Sequence, residues 1–175
     1  MTELIEKAKN IKCLICDVDG VLTDGSLYLD AAGNEFKAFQ VIDGVGLKLL
    51  MFAGIEIAII TGCTSTIIDY RMQQLKIKHY FKGQTNKQQA YQTLKTRLNL
   101  NDEAFAYIGD DLVDVPIIQQ VGLGIAIANA IDQVKACAFW QTTKSGGKGG
   151  VREVCDLILH AQGKFELAFD RYLTA

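Results

Sequence analysis

Two aspartates, Asp17 and Asp19, follow directly after the apolar segment 11–16 and precede Gly20. Carboxylates this close repel each other by roughly 1 kcal/mol in water and by about 4 kcal/mol at an intermediate dielectric. Because a divalent cation would remove this repulsion, the pair indicates a metal site. A helix N-cap or a turn that happens to hold two aspartates is the alternative, and this segment alone does not decide between them.

Polar side chains also follow two later apolar runs, and a lysine begins the helix between those runs. These residues are Thr61, Lys87, Asp110 and Asp111. A carboxylate such as Asp17 can attack phosphorus, while a hydroxyl and an ammonium group can hold phosphoryl oxygens. A cation held by the acids would offset the charge of the nucleophile and the phosphate dianion. Taken together, these residues favour phosphoryl chemistry. Taken singly, Thr61 could be a helix cap, Lys87 a surface lysine, and Asp110 with Asp111 a turn.

The candidate residues fall at the ends of predicted strands that alternate with predicted helices. We expect strands at residues 11–16, 55–60, 80–81, 104–108 and 122–128. We expect helices at residues 1–10, 44–53, 65–75, 86–98 and 131–137, with the final one at 151–161. This alternation predicts an α/β fold with a doubly wound, mostly parallel sheet, in which ligands bind beyond the carboxyl ends of the strands.

Two smaller features lie close to the candidate acids. Residues 26–29 and 35–39 alternate in polarity around the turn-rich segment 30–34, which predicts a small β-hairpin beside the first two aspartates. Pro116 fits the first turn of a further helix, with Asp114 near its cap.

Length and composition limit the classes of protein and partner. The 175 residues are enough for one domain, 1–175, that buries about 70% of its unfolded surface. A net charge of −2 with 49% hydrophobic residues excludes a disordered chain and offers no basic field for nucleic acid. No apolar run approaches the ~18 residues that span a bilayer, and no signal peptide is evident. We therefore expect a cytoplasmic protein with a small-molecule partner and no membrane partner.

The cysteines, histidines and C-terminal aromatics are interpreted as structural. The five cysteines are odd in number and mostly in apolar company, as reduced, buried thiols are; they are Cys13, Cys16, Cys63, Cys137 and Cys155. The first two form a C-x-x-C pattern, but within a strand their side chains point to opposite faces, which argues against a redox or zinc site. His79 and His160 are expected to be structural, and the aromatic residues are expected to pack or to form an interface: Trp140, Phe165, Phe169 and Tyr172.

Four motifs, which together cover nearly the whole chain, resemble those of the haloacid dehalogenase superfamily of phosphohydrolases. They are DVDGVLT beginning at Asp17, IITG containing Thr61, NK containing Lys87, and GDDLVD containing Asp110. By this resemblance Asp17 is a nucleophile that forms an aspartyl phosphate. Asp19 would protonate the leaving hydroxyl and then activate water.

The same resemblance implies a Rossmann-like fold and roles for the remaining motif residues. Thr61, Gly62 and Lys87 would bind the phosphoryl oxygens. Mg²⁺ would be held by Asp17, by the backbone carbonyl of Asp19 and by Asp110. Asp111 and Asp114 would support these ligands or orient their loop.

Neither gap between the motifs is long enough for a cap domain, so the chain resembles the capless subgroup. DVDGVLTDG and GGKGGVRE (residues 146–153) are similar to motifs of capless phosphatases that act on 3-deoxy-D-manno-octulosonate 8-phosphate, a lipopolysaccharide precursor. The resemblance implies substrate contacts from Gln40, Val41, Ile42, Asp43, Gly44, Lys48, Arg71, Lys148 and Arg152. Cys63 departs from the pattern, because the family usually has arginine after Thr-Gly. The 9-phosphate of a nine-carbon sugar acid, or a broader range of small phosphate esters, therefore remains an alternative.

An uncapped site is open to water, so we expect a neighbouring subunit to cover it, through the hairpin or the C-terminal tail. The resemblance implies a homo-oligomer, a tetramer. A receiver-like signalling domain is the remote alternative, but its acid pair is adjacent and its phosphoacceptor lies on a later strand. A catalytically silent binding subunit is disfavoured because the acids, Thr61 and Lys87 are all intact.

Overall fold

The computed structural model describes residues 2–174, within which β-strands form one large and one small sheet. The strands are β1 (Cys13–Cys16), β2 (Tyr28–Leu29), β3 (Glu35–Phe36), β4 (Glu56–Ile60), β5 (His79–Phe81), β6 (Phe105–Gly109), β7 (Leu123–Ala126) and β8 (Trp140–Gln141). The large sheet has the order β5-β4-β1-β6-β7-β8, and all its pairings are parallel. The small sheet is the antiparallel hairpin of β2 and β3. The predicted α/β class, mostly parallel sheet and hairpin are confirmed.

Helices cover both faces of the large sheet. They are α1 (Thr2–Asn10), α2 (Val41–Phe52), α3 (Thr66–Leu75), α4 (Lys87–Leu98), α5 (Val115–Ile118), α6 (Asp132–Cys137), α7 (Gly150–Ala161) and α8 (Phe165–Thr174), with 3₁₀ turns at Asp102–Ala104 and Leu112–Asp114. On one face α7 and α8 pack against α2, α1 packs against α7, and α2 also contacts α3; on the other, α5 contacts α4 and α6. No helix in residues 2–174 is long and apolar enough to cross a membrane.

β1 lies at the centre of the sheet and fixes the position of the functional edge. All four of its residues are buried, as expected for a parallel strand covered by helices on both faces. From β1 the chain proceeds through α2 to β4 on one side, whereas from β6 it proceeds through α5 to β7 on the other. This reversal between adjacent strands opens a crevice beyond their carboxyl ends.

Two predicted helices differ from those observed. α2 begins at Val41 rather than at residue 44, because the Gln40 side chain caps it by accepting a hydrogen bond from the Val41 N–H at 2.9 Å. The helix predicted at 151–161 is present as α7, but the prediction that it is the last helix was wrong, since α8 follows it. Gly163 turns the chain at φ +62°, and α8 then buries Ala168. Met1, placed in the first predicted helix, lies outside the described residues.

The C-terminal aromatics pack as predicted. The Phe165 ring stacks on His160 with centroids 4.5 Å apart, and Tyr172 meets Phe52 edge to face at 6.3 Å. Trp140 lies in β8, a two-residue edge strand that the sequence pattern did not predict. The remaining elements differ from prediction mainly at their ends.

Candidate active site

A pocket of about 240 Å³ opens beyond the carboxyl ends of β1, β4 and β6, where α4 also begins. Its lining contains seven residues singled out in the sequence, namely Asp17, Asp19, Thr61, Gly62, Lys87, Asp110 and Asp111. Cys63, Gln84, Thr85 and Val113 complete it. The fold therefore brings together residues that are as many as 94 positions apart in the chain, from Asp17 to Asp111.

Lys87 pairs with two acids at the base of the pocket. Its ammonium nitrogen lies 2.8 Å from a carboxylate oxygen of Asp17 and 2.8 Å from one of Asp114, and all three side chains are buried. Burial alone would lower the pKa of Lys87, but the two carboxylates outweigh it and hold that pKa above its ordinary value. Burial raises the pKa of Asp17 to about 6, although the Lys87 charge opposes this shift. A positively charged lysine therefore faces the predicted nucleophile.

Asp110 approaches the loop after β1 closely because residue 20 is glycine. A Cβ at Gly20 would overlap the Asp110 carboxylate, and Gly20 has φ +86°, which disfavours residues with side chains. Burial, followed by the charges of Asp17 and Asp114, raises the pKa of Asp110 to about 7. The two strand-end acids thus destabilise each other's ionised form.

Asp114 is an anchor within the protein. Its fully buried carboxylate accepts hydrogen bonds from the Tyr107 hydroxyl at 2.6 Å and from the Asp110 N–H at 3.0 Å. Asp114 is the N-cap residue of α5, as predicted, but its side chain makes no cap hydrogen bond to that helix. The carboxylate instead closes a capping box with Asp111 around the turn 112–114. These contacts fix the loop that carries Asp110.

The acids fit a divalent cation. Oxygen atoms of Asp17, Asp110 and Asp114 all lie within 4.8 Å of one another. Because Asp114 already accepts several hydrogen bonds, Asp17 and Asp110 are the side chains left to coordinate an ion. Buried carboxylates with raised pKa values gain most from a cation, which favours their ionised form. The hard oxygen donors suit Mg²⁺.

Thr61 and Gly62 form the rim after β4. The Thr61 hydroxyl oxygen accepts a hydrogen bond from the Cys63 N–H at 3.1 Å, so its hydrogen remains available to a ligand. Burial, followed by the charge of Asp19, raises the pKa of the Cys63 thiol. Cys63 is therefore a neutral thiol and lacks the positive charge of the family arginine.

The hairpin stands beside the catalytic loop, as predicted, and contributes a lysine that sequence reasoning missed. The Lys37 ammonium lies 2.6 Å from an Asp19 carboxylate oxygen and 2.8 Å from one of Glu35. Its side chain is only 2% exposed. No motif singled out Lys37, because the contact joins residues 18 positions apart across an irregular segment.

Asn129 is a second residue that the sequence analysis missed. Its amide nitrogen donates to the Gly20 carbonyl at 3.0 Å, and its amide oxygen accepts from the Gly146 N–H at 2.6 Å. It thereby ties the glycine-rich segment 145–150 to the catalytic loop. The rule that identified Thr61, a polar residue just beyond a buried strand, also applies to Asn129 after β7.

The predicted substrate contacts divide into several groups. Asp43 is buried, and its carboxylate accepts from the Gly149 N–H at 3.3 Å and from the Arg152 N–H at 2.8 Å. These bonds hold the Asp43 carboxylate at the start of α7, and its contact with a sugar stays a prediction. The Arg152 guanidinium pairs with Asp156 at 2.7 Å on the same helix, and Gly44 is buried within α2.

The other predicted contacts lie on different surfaces. Val41 and Ile42 are exposed at the start of α2, next to the Gln40 cap. The Arg71 guanidinium carbon lies 5.7 Å from the centroid of the Phe39 ring, so its positive charge stands beside the segment that precedes α2. Lys48 lines another cavity and is absent from the lining of the catalytic pocket. The remaining one, Lys148, follows Gly147, whose N–H bonds the Val21 carbonyl of the catalytic loop.

Comparison with known proteins identifies the family. Residues 65–154 match the model of the haloacid dehalogenase-like hydrolases. A relative from Yersinia pestis, named 3-deoxy-D-manno-octulosonate 8-phosphate phosphatase, is 47% identical over 94% of this chain and 88% of its own length. The chain belongs to the haloacid dehalogenase-like hydrolases. The receiver-like alternative was therefore wrong, and the protein is a hydrolase by family.

Solved structures agree with this assignment. A hydrolase of the same superfamily, subfamily III A, from Legionella pneumophila has a TM-score of 0.99 and 62% identity, covering 100% of this chain and 96% of that one. The 3-deoxy-D-manno-octulosonate 8-phosphate phosphatase of Moraxella catarrhalis, solved with magnesium, phosphate and the sugar acid, has a TM-score of 0.94 and 44% identity, covering 98% and 99%. The expected capless form of this fold is confirmed.

Proposed function

We propose that this haloacid dehalogenase-like hydrolase is a magnesium-dependent phosphatase that converts 3-deoxy-D-manno-octulosonate 8-phosphate to the sugar acid and phosphate. The observation that carries this proposal is the convergence of Asp17, Asp19, Thr61, Lys87 and Asp110 on one pocket. The named relatives support the choice of substrate. Such an activity would serve lipopolysaccharide synthesis.

In the first half of the reaction, the Asp17 carboxylate attacks phosphorus and the bond to the sugar oxygen breaks. Asp19 donates its proton to that oxygen, so the sugar acid leaves with a free hydroxyl. Lys87 keeps Asp17 in place and balances its charge, while the Thr61 hydroxyl can donate to a phosphoryl oxygen. An aspartyl phosphate and an ionised Asp19 result.

In the second half, Asp19 removes a proton from water, whose oxygen attacks phosphorus of the aspartyl phosphate. The bond to Asp17 breaks, inorganic phosphate forms, and Asp19 again carries its proton. Magnesium bound by Asp17, Asp110 and the Asp19 carbonyl would offset the charge that collects on the phosphoryl oxygens. The two carboxyl groups end as they began, so the cycle is closed.

The carboxylate of the sugar acid requires a cation, and among the four predicted cations we favour Arg71 and Lys148. Arg152 is paired on its own helix and Lys48 belongs to another cavity. Neither Arg71 nor Lys148 has an acid partner within 4 Å among residues 2–174. Within residues 2–174 the buried Arg71 Nε has no hydrogen-bond partner, and one terminal nitrogen of its guanidinium donates to the Gln74 side chain at 3.4 Å. No acid therefore competes with an anionic ligand for this guanidinium.

The nine-carbon sugar acid 9-phosphate is the second candidate, and Cys63 is the reason to keep it. A neutral thiol stands in the pocket lining where the family usually has a guanidinium, so one positively charged contact with the substrate is missing. Broad activity on small phosphate esters would also follow from the missing guanidinium contact.

Steady-state kinetics on the eight-carbon and nine-carbon acid phosphates test the substrate. We expect a higher kcat/KM for the eight-carbon ester. Arg71→Gln should lower kcat/KM on that ester by about 10-fold or more, and hydrolysis of p-nitrophenyl phosphate far less, because the latter has no carboxylate. Arg152→Gln is the matched control with a small effect. A preference for the nine-carbon ester would overturn the substrate while leaving the chemistry intact.

Cover for the open pocket would come from a second copy of the chain. The hairpin carries the exposed apolar side chains Leu27, Leu29 and Phe36, with Val41 following at the start of α2. An apolar patch of this kind is typical of a protein interface. We infer a homo-oligomer, a tetramer by resemblance, in which the hairpin borders a neighbouring site.

A further inference from the structure

A second and larger cavity, of about 600 Å³, opens at the opposite end of the sheet from the catalytic pocket. It lies at the amino end of β4, between the C-terminal ends of α2 and α3, with α8 alongside. We call it the α2–α3 cavity. Its volume falls in the range of ~300–1,000 Å³ that is typical of small-molecule sites.

The floor of the α2–α3 cavity is apolar. Met51, Phe52, Ile55 and Tyr172 line it, and two of these rings meet edge to face at 6.3 Å. Burial of an apolar or aromatic body against such a surface is favourable, whereas sugar hydroxyls would find few hydrogen-bond partners there. The ligand class therefore differs from that of the catalytic pocket.

The cavity wall is positively charged. Lys48, Lys76 and Lys78 line it, and none of the three lies within 4 Å of an acid among residues 2–174. Glu56 is the one acid in the lining, and its carboxylate lies 3.2 Å from the His79 Nε2. Three unpaired ammonium groups beside an apolar floor complement a ligand that is negatively charged at one end.

Lys76 also occupies an unfavourable backbone position. It ends α3 in the left-handed conformation, with φ 58° and ψ 38°, where glycine or asparagine is preferred. α4 ends in the same way with Asn99, which suits that conformation. A strained residue at the edge of a cavity is a reason to look for a function of its side chain.

We propose that the α2–α3 cavity binds an anionic amphiphile: a small molecule with an aromatic or acyl body and a carboxylate, sulfonate or phosphate head. The body covers Met51, Phe52 and Tyr172, and the head lies among the three lysines. This site shares no lining residue with the catalytic pocket.

Two matched fluorescent probes test the proposal on the full chain. 8-Anilinonaphthalene-1-sulfonate carries an anionic head, and N-phenyl-1-naphthylamine has the same hydrocarbon body without it. We expect saturable binding of one sulfonate probe per chain, with a Kd about 10-fold or more below that of the neutral probe. No saturable binding, or equal affinities, would overturn the proposal.

A double variant locates the site. Lys76→Gly with Lys78→Gln should raise the Kd of the sulfonate probe about fivefold or more and leave the Kd of the neutral probe unchanged. Because Lys76→Gly also relieves the left-handed strain, the melting temperature should not fall, which separates lost binding from lost folding. Lys135→Gln, on α6 at the far side of the sheet, is the matched control and should bind both probes normally. Unchanged sulfonate binding in the double variant would contradict the proposed site.

Discussion

Asp110 makes the metal-free protein sensitive to pH. Its pKa is raised to about 7 by burial and by neighbouring acids, from an ordinary value near ~4. Between these values the folded state holds a proton that the unfolded state releases. Its contribution to stability is therefore present at low pH and is lost as the pH rises through about 7.

The raised pKa of Asp110 predicts how Asp110→Asn behaves. In EDTA, raising the pH from 5 to 8 should lower the unfolding free energy of the wild type relative to the variant by roughly 1–3 kcal/mol, discounted for partial exposure. Urea denaturation at both pH values measures the difference. Asp132→Asn, whose side chain is fully exposed, is the control and should follow the wild type. Parallel pH profiles for wild type and Asp110→Asn would refute the buried-acid interpretation.

Sequence reasoning was most successful for residues at the ends of buried strands. Asp17, Thr61 and Asp110 were found because an apolar run ends abruptly in a polar side chain, and parallel strands bring such ends together. Lys37 could not be found in this way. It reaches Asp19 from an irregular hairpin, and only the folded chain reveals that approach.

The Asp43 carboxylate connects α2 to the start of α7. Its carboxylate satisfies the N–H groups of Gly149 and Arg152, which otherwise lack partners at the start of a helix. Asp43→Ala should therefore lower the unfolding free energy by about 1–2 kcal/mol in chemical denaturation. Asp43→Asn keeps a hydrogen-bond acceptor, so it should lose less unfolding free energy than Asp43→Ala.

Asp156→Ala provides the comparison for this prediction. It removes the half-exposed pair with Arg152 on the same helix, which is worth about 0.5 kcal/mol or less. If the alanine variants at 43 and 156 lost equal stability, the cap would not be the source of the effect.

The helices that differed from prediction were set by contacts distant in sequence. Gly44 and Gly46 weaken the helical pattern at the start of α2. A Cβ at Gly46 would crowd Arg152 and Cys155 of α7, so the close packing of these two helices favours glycine there. α8 similarly depends on packing against α2. The central strands needed no such help, because their apolar runs are buried on both faces.

For the whole molecule, the hairpin patch predicts self-association. Leu29 is 63% exposed and Phe36 58% exposed, which is unfavourable in a monomer. Sedimentation velocity should show the wild type as a homo-oligomer, and Leu29→Glu with Phe36→Glu should shift it to smaller species, since a buried interface does not tolerate unpaired charges. Leu173→Glu, at an equally exposed leucine of α8, should leave the oligomer intact. An active wild-type monomer would contradict the inferred cover.

Phosphate release from 3-deoxy-D-manno-octulosonate 8-phosphate by Asp17→Asn, with magnesium present, tests whether Asp17 is the nucleophile. Asparagine has nearly the same shape but is a far poorer nucleophile, so kcat should fall by at least about 10³-fold. Circular dichroism and the melting curve should show a folded variant. Near-native turnover by the purified variant, with wild-type contamination excluded, would contradict an aspartyl-phosphate mechanism at this site.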